Sequence, residues 1–363
     1  MFSVSNLKSS RSVRVVVVLF ISLTLVYSFY LGWKPLHTLS PSSKTSLQTS
    51  ATGSAGSIPH TPPKGPLSSD PKSYSITNTA INGVPDKVWH SAKTDSISEQ
   101  QRAYINSWTD KNPSFRHELL TDRSAEAFVR AYYQQTRPDI VQVYEGLSIP
   151  ILRADLFRYL IILAKGGYWS DLDVSSEKPS AEWVPAEYKG QHIDMIVGLE
   201  FDFETRGPGT EVASQFCNWV FSAQPSSRNL QVIVDSVVNT LKKIANDNNV
   251  SISGITLEML SDVVNVTGPK IMTISILEGL KQLLGREVDD RDFAGIKHPK
   301  LVGDVLIMPG VSFAAAQNGF PKDQGDALVT HHYEGSWKQA DAEAKERKKQ
   351  QQTQPGRRSH VTM

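Results

Sequence analysis

Two carboxylates stand one residue apart at Asp171 and Asp173, directly after the run Tyr168-Trp169-Ser170. In extended backbone alternate side chains share a face, so both aspartates point one way and Leu172 points back into the core. Like charges this close favour a bound cation, because otherwise one of the pair must keep its proton. Hard carboxylate oxygens suit Mg²⁺ or Mn²⁺. An ion held there could neutralise a diphosphate as a Lewis acid. A lone D-x-D also occurs in solvated turns, so the elements around it decide its meaning.

Residues 148–167 read SIPILRADLFRYLIILAKGG and predict a helix leading to the pair. Ser148 is the expected N-cap and Pro150 sits in the first turn. Leu152, Leu156, Leu160 and Leu163, with Tyr159, form an apolar stripe. Gly166 and Gly167 end the helix. Arg153, Asp155 and Arg158 break the apolar pattern. Asp155 and Arg158 lie on one face at i and i+3. Either they pair with each other, or they serve a site that needs buried charge.

A further cluster follows near the C-terminal end, Thr330-His331-His332-Tyr333-Glu334-Gly335-Ser336-Trp337. An extended approach sends His331 and His332 to opposite sides, so only one enters a site. A neutral imidazole is a sound ligand for Mn²⁺.

Taken together, R-x-D-x-x-R, the Gly-Gly stop, the aromatic strand, D-x-D and H-H-x-x-G-S-W resemble the fungal initiation-specific α-1,6-mannosyltransferase family. These are Golgi glycosyltransferases of GT-A fold. The resemblance runs over residues 85–337 and is strongest in the central block and the C-terminal cluster. It implies that Asp155 binds donor-sugar hydroxyls and that Arg158 fixes the sugar or its diphosphate. By the same resemblance Asp173 is the direct metal ligand, and Asp171 acts through water or the donor ribose. His332, in H-x-x-G with Gly335, completes the metal site. Trp89 would stack on the nucleobase, although a core tryptophan fits its position equally. Ser336 and Trp337 would contact the diphosphate and close the site.

Val266-Thr267-Gly268-Pro269-Lys270 is similar to a T-G-P-G element of the family, with Lys270 in place of its last glycine. The implied reaction moves mannose from GDP-mannose to a mannose hydroxyl of a protein N-glycan, with retention and with Mn²⁺ or Mg²⁺. An inositol phosphoceramide mannosyltransferase is the alternative acceptor class, and the polar C-terminal region speaks against it. A catalytically silent anchored subunit of a mannosyltransferase complex is the non-enzymatic alternative.

The remaining organisation agrees with an enzyme on a membrane anchor. Lysine plus arginine number 38 and aspartate plus glutamate 37, which leaves no electrostatic footprint for nucleic acid. The single cysteine, Cys217, excludes an intrachain disulfide and lies in an apolar-aromatic run that predicts a buried thiol. Residues 1–12 read as a cytosolic tail and 13–32 as an uncleaved type II signal anchor, with Lys8 and Arg11 on the inside and Arg14 at the start of the span. Residues 33–73, rich in Ser, Thr, Pro and Gly, read as a disordered stem. Two sequons, at Asn249 and Asn265, are compatible with a lumenal address.

Residues 74–340 form the expected catalytic domain and 341–363 a polar basic tail. Strands are predicted at 84–90, 115–120, 193–199 and 305–308. Helices are predicted at 98–109, 125–134, 139–147, 215–223 and 229–246. This alternation predicts an α/β, GT-A-like nucleotide-sugar-binding domain with a mostly parallel central sheet.

Overall fold

In the computed structural model the described residues are 82–207, 211–315, 317, 320, 325–334, 342–343 and 346–347. The residues read as anchor and stem, with Ser336 and Trp337, lie outside them. Among the described residues no helix is long and apolar enough to cross a membrane.

The first strand, β1 (Lys87–Ala92), buries Val88, Trp89 and His90 in succession, as a strand covered on both faces must. It pairs in parallel with β2 (Arg116–Thr121) on one side. Between them α1 (Glu99–Lys111) starts on a capping box of Ser98 and Gln101. Its buried Trp108 donates its indole N–H to the Val174 carbonyl at 3.0 Å. Thr121 then caps α2 (Asp122–Tyr133), and α3 (Pro138–Gly146) follows.

Helix α4 (Pro150–Lys165) differs from its expectation in two respects. Its N-cap is Ile149, with no side-chain cap, and Pro150 alone sets its start. The Ser148 hydroxyl donates instead to the Ser253 carbonyl at 3.2 Å. The apolar stripe is also wider than four leucines, because every residue from Asp155 to Ala164 is buried. Helix α4 is therefore a core element covered all round.

Gly166 and Gly167 have φ of 65° and 102°, and a Cβ on Gly167 would sit 2.5 Å from the Lys87 carbonyl oxygen. Only glycine lets the chain turn there and lay β3 (Gly167–Ser170) directly beside β1. Next come β4 (Val174–Ser176), β5 (Met195–Asp202), β6 (Ser214–Phe216) and β7 (Val220–Ala223).

The helix expected over 215–223 is thus two strands. Residues Phe216 and Val220–Ala223 are buried without a break, and an uninterrupted apolar run carries no period that separates helix from strand. Helix α5 (Arg228–Asp247), short α6 (Val263–Val266) and α7 (Pro269–Leu284) pack together beyond β7. The chain closes with β8 (Lys300–Val302), β9 (Val305–Met308), α8 (Gly310–Ala314) and β10 (Val329–His331).

The sheet order is β2-β1-β3-β7-β5-β9-β8, with β6 beside β5. Pairings make β2, β1, β3, β5 and β9 run one way, while β7 and β8 run against them. The α/β expectation with a mostly parallel central sheet holds. A separate antiparallel pair, β10 with β4, sets His331 opposite Val174. Parallel strands leave a crevice beyond their carboxyl ends, where ligands bind in such sheets.

Candidate active site

That crevice holds a cavity of about 550 Å³. Ser91 at the end of β1, Asp171 beyond β3 and Glu200 near the end of β5 all line it. Helix α4 contributes Asp155 and Arg158 from one face, with only 3% and 5% of each residue exposed.

The two readings of this charged pair merge. Arg158 does bind Asp155, Nη1 to Oδ1, at 2.8 Å. Its other terminal nitrogen reaches Asp171 at 3.2 Å, so the guanidinium bridges the helix carboxylate to the D-x-D pair. Burial opposes the charge on Arg158, but Asp171 and Asp155 hold its affinity for the proton above the ordinary value.

Asp155 has further partners. Thr267 Oγ1 donates to its Oδ2 at 2.7 Å. Asn218 Nδ2 lies 3.5 Å from its Oδ1 and 3.3 Å from the Tyr159 hydroxyl. Tyr159 in turn donates to the Thr267 carbonyl at 2.9 Å. Burial pushes the Asp155 carboxyl above the usual range, against the pull of Arg158, Thr267 and Asn218.

Asp171 and Asp173 both line the cavity, but not by strand alternation. Strand β3 ends at Ser170, and the pair sits in a turn in which the Val174 N–H donates to the Asp171 carbonyl at 3.2 Å. Leu172 accordingly lines the cavity and is only partly buried, contrary to the expectation that it enters the core. Asp171 Oδ1 accepts the Trp169 indole N–H at 2.7 Å. Burial pushes the Asp171 carboxyl up to about 6, and the negative charge of Asp173 adds to the rise while Arg158 opposes it. For Asp173 burial also acts upward, but His331 and the Glu334 N–H outweigh it and hold the carboxyl below its ordinary value.

The histidines separate to opposite sides as expected, but in the other order. His331 faces the cavity, with Nε2 3.3 Å from Asp173 Oδ2 and its ring stacked on Trp219 at 4.3 Å. His332 turns away, with Nε2 2.9 Å from Ser175 Oγ and its ring on Tyr104 at 4.0 Å. Only its backbone serves the site, donating to the Asp173 carbonyl at 2.8 Å. The H-x-x-G spacing selects His332, whereas the β10–β4 register presents His331.

Among the described residues no three His, Cys, Asp or Glu groups form a ready metal cage. The donor set of Asp171, Asp173 and His331 on one cavity wall still suits a hard divalent ion, with oxygen atoms of a bound diphosphate completing the shell. His331 Nδ1 is buried without a hydrogen-bond partner among the described residues.

Trp89 stands outside this arrangement. It is 4% exposed, donates its indole N–H to the Gly166 carbonyl at 2.9 Å and carries Lys87 Nζ over its ring at 3.6 Å. It is therefore a core residue that braces the Gly-Gly turn, and its ring faces are not offered to a base. Lys270 likewise sits apart from the cavity, paired with Glu211 at 3.0 Å, while its neighbours Gly268 and Pro269 line the cavity wall. Cys217 is fully buried, as expected, and burial pushes its thiol well up.

Thr267, Asn218, Glu200 and Trp219 were not singled out by the sequence as site residues. Thr267 stood in view as part of both a sequon and the T-G-P-K stretch, and Asn218 and Trp219 fell in the run read as helical.

Residues 98–189 match the family described as "Glycosyltransferase sugar-binding region containing DXD motif". The chain is 32% identical over 261 residues to the initiation-specific alpha-1,6-mannosyltransferase of Schizosaccharomyces pombe, covering 70% of this chain and 64% of that protein. It thus spans a little under two thirds of that relative's length. It is 28% identical over 300 residues to the initiation-specific alpha-1,6-mannosyltransferase of Candida albicans, covering 73% and 75% of the two chains. The Saccharomyces cerevisiae protein named Putative glycosyltransferase HOC1 is 29% identical over 235 residues, covering 63% and 58%. The chain is thus similar to fungal initiation-specific α-1,6-mannosyltransferases, and its match to the DXD sugar-binding region runs from α1 through α4 and the Asp171–Asp173 turn.

Proposed function

We propose that this chain is a metal-dependent retaining mannosyltransferase of GT-A-like fold that uses GDP-mannose. Its acceptor is a mannose hydroxyl of a protein N-glycan. One observation carries the reading: Arg158 joins Asp155 to Asp171 within a single cavity at the strand ends. A nucleotide-sugar donor needs hydroxyl acceptors for the sugar, positive charge for the diphosphate and carboxylates for a cation, all within one ligand's length.

In this reading Asp155, held by Thr267, Asn218 and Arg158, accepts hydrogen bonds from donor-sugar hydroxyls. Arg158 orients the carboxylates and faces the diphosphate. Asp173 with His331 would hold the ion, and Asp171 would act beside them through water or the donor ribose. Mn²⁺ or Mg²⁺ bound there supplies charge neutralisation of the departing diphosphate. The acceptor hydroxyl attacks the anomeric carbon from the face the diphosphate leaves, the bond from that carbon to the diphosphate oxygen breaks, and the hydroxyl proton passes to the departing diphosphate. Ser336 and Trp337, outside the described residues, would close over the diphosphate.

The N-terminal anchor at 13–32 would hold the domain in the Golgi lumen, where N-glycan acceptors pass and where a mannosyltransferase complex would form. Release of nucleoside diphosphate from a panel of GDP- and UDP-sugars tests the donor. The reading expects GDP-mannose to lead the panel. Turnover confined to a UDP-sugar would replace it.

A further inference from the structure

A second cleft, about 700 Å³, lies between α5 and α7. Ser236, Asn239 and Thr240 face it from α5, spaced i, i+3 and i+4 on one helix face. Ser261 and Asn265 form its floor beside α6, and Ser275 faces it from α7. Among the described residues no hydrogen bond engages the side chains of Ser236, Asn239, Thr240 or Ser275. Ser275 is only 3% exposed, so its free hydroxyl is built into the cleft wall rather than scattered over a surface.

At the rim Lys270 pairs with Glu211 at 3.0 Å, while Glu278 accepts from the neutral Gln282 amide at 3.0 Å and keeps its negative charge. The cleft therefore offers neutral donors and acceptors beside one carboxylate, with no unpaired cation for a phosphate among the described residues. Ile274, 36% exposed, adds an apolar patch on the same wall. Hydroxyl and amide groups beside a small apolar patch suit a neutral polyol whose rings carry both hydroxyls and C–H faces.

Its place relative to the catalytic cavity adds the second argument. Val263, Val264, Gly268 and Pro269 line the catalytic cavity, while Ser261, Asn265 and Lys270 line the cleft. One short stretch of chain thus walls both spaces. A glycan reaching across that wall would have its reacting end in the catalytic cavity and further sugars between α5 and α7.

We propose that the α5–α7 cleft is an oligosaccharide subsite that holds a non-reacting arm of the acceptor glycan. The proposal rests on the mannosyltransferase reading and names where the rest of the acceptor lies. It also places Asn265 against the bound glycan, so that a glycan carried on Asn265 itself is incompatible with it.

Two assays separate this proposal from the function it rests on. The first uses the full chain without donor and measures binding of a high-mannose N-glycan by saturation-transfer NMR, in wild type, Asn239→Trp and Ser236→Trp. The expected result is binding by wild type and at least a tenfold loss in both variants, with unchanged melting temperatures. Wild-type affinity in Asn239→Trp, whose rim position cannot disturb the core, overturns the proposal. So does absence of binding to wild type.

The second compares transfer to the high-mannose glycan and to methyl α-mannoside. Asn239→Trp should raise KM at least tenfold for the glycan alone. An equal change for both acceptors overturns the subsite. Transfer to neither acceptor by wild type defeats the function reading, while the binding assay still decides the cleft. A glycan found on Asn265 by glycopeptide mass spectrometry also overturns it, since the cleft would then hold the protein's own sugar.

Discussion

Thr267 donates its hydroxyl to Asp155 Oδ2 at 2.7 Å across 112 positions of sequence. This bond ties the turn before α7 to the middle of α4, and the Tyr159 hydroxyl on the Thr267 carbonyl doubles the tie. The carboxylate expected to bind the donor sugar is thereby fixed from two elements at once.

Thr267→Val keeps the side-chain shape and removes only that hydroxyl. A hydrogen bond to a buried charged group is worth about 1.5–3 kcal/mol. The variant should lose roughly that much stability in urea unfolding. GDP release should fall on the order of 10–100-fold, the range a misplaced catalytic group produces. Thr267→Ser should recover most of the activity. Equal damage from Ser and Val would mean that the methyl group, not the hydroxyl, matters.

Trp89 provides a contrasting case. Trp89→Phe removes the indole N–H that holds the Gly166 carbonyl. It should cost about 1 kcal/mol of stability, the usual worth of one neutral hydrogen bond. The KM for GDP-mannose should stay unchanged in steady-state kinetics. A rise in donor KM with intact stability would restore the nucleobase-stacking role.

His90 gives a pH signature. Its Nδ1 bonds the Ser170 carbonyl at 2.9 Å, Nε2 is buried without a partner among the described residues, and burial lowers its pKa from 6.5 to about 4. The folded state thus keeps His90 neutral where the unfolded chain takes up a proton. Its contribution is full above pH 6.5 and is lost as pH falls through the window toward 4. By pH 5 the loss should be about 2 kcal/mol. His90→Gln, which can still donate to the Ser170 carbonyl, should flatten that part of the curve in urea titrations at pH 7 and pH 5. An unchanged slope would assign the acid sensitivity to other groups.

The fold was legible wherever a periodic or punctuated signal existed. Residues 305–308 are β9 to the residue, and Gly166-Gly167 ends α4. Reading failed where burial on every side erases periodicity, as at Phe216 and Val220–Ala223. The site was legible in its acidic parts, because Asp155, Arg158, Asp171 and Asp173 are dense in sequence and meet in one cavity. It was illegible where long-range register decides which side chain faces in. Nothing local separates His331 from His332, and only pairing of β10 with β4 does so. Thr267 reaches Asp155 through tertiary packing that no spacing encodes.

The histidine assignment is open to direct test. His331→Ala should raise the Mn²⁺ concentration needed for half-maximal turnover by tenfold or more. His332→Ala should leave that requirement near wild type and loosen the β10–β4 pairing, read as faster amide exchange at residues 329–331. The reverse pattern would return the ligand role to His332.

The central claim is that this cavity binds GDP-mannose with a divalent ion on Asp173 and transfers the sugar. The most direct measurement is mannose transfer and GDP release from GDP-mannose by the purified chain, titrated with Mn²⁺, in wild type and Asp173→Ala. The account predicts turnover that EDTA abolishes in wild type and none at any Mn²⁺ concentration in Asp173→Ala. Its calorimetric counterpart is tighter Mn²⁺ binding in the presence of GDP than without it. Wild-type turnover by Asp173→Ala in the presence of EDTA would contradict the account.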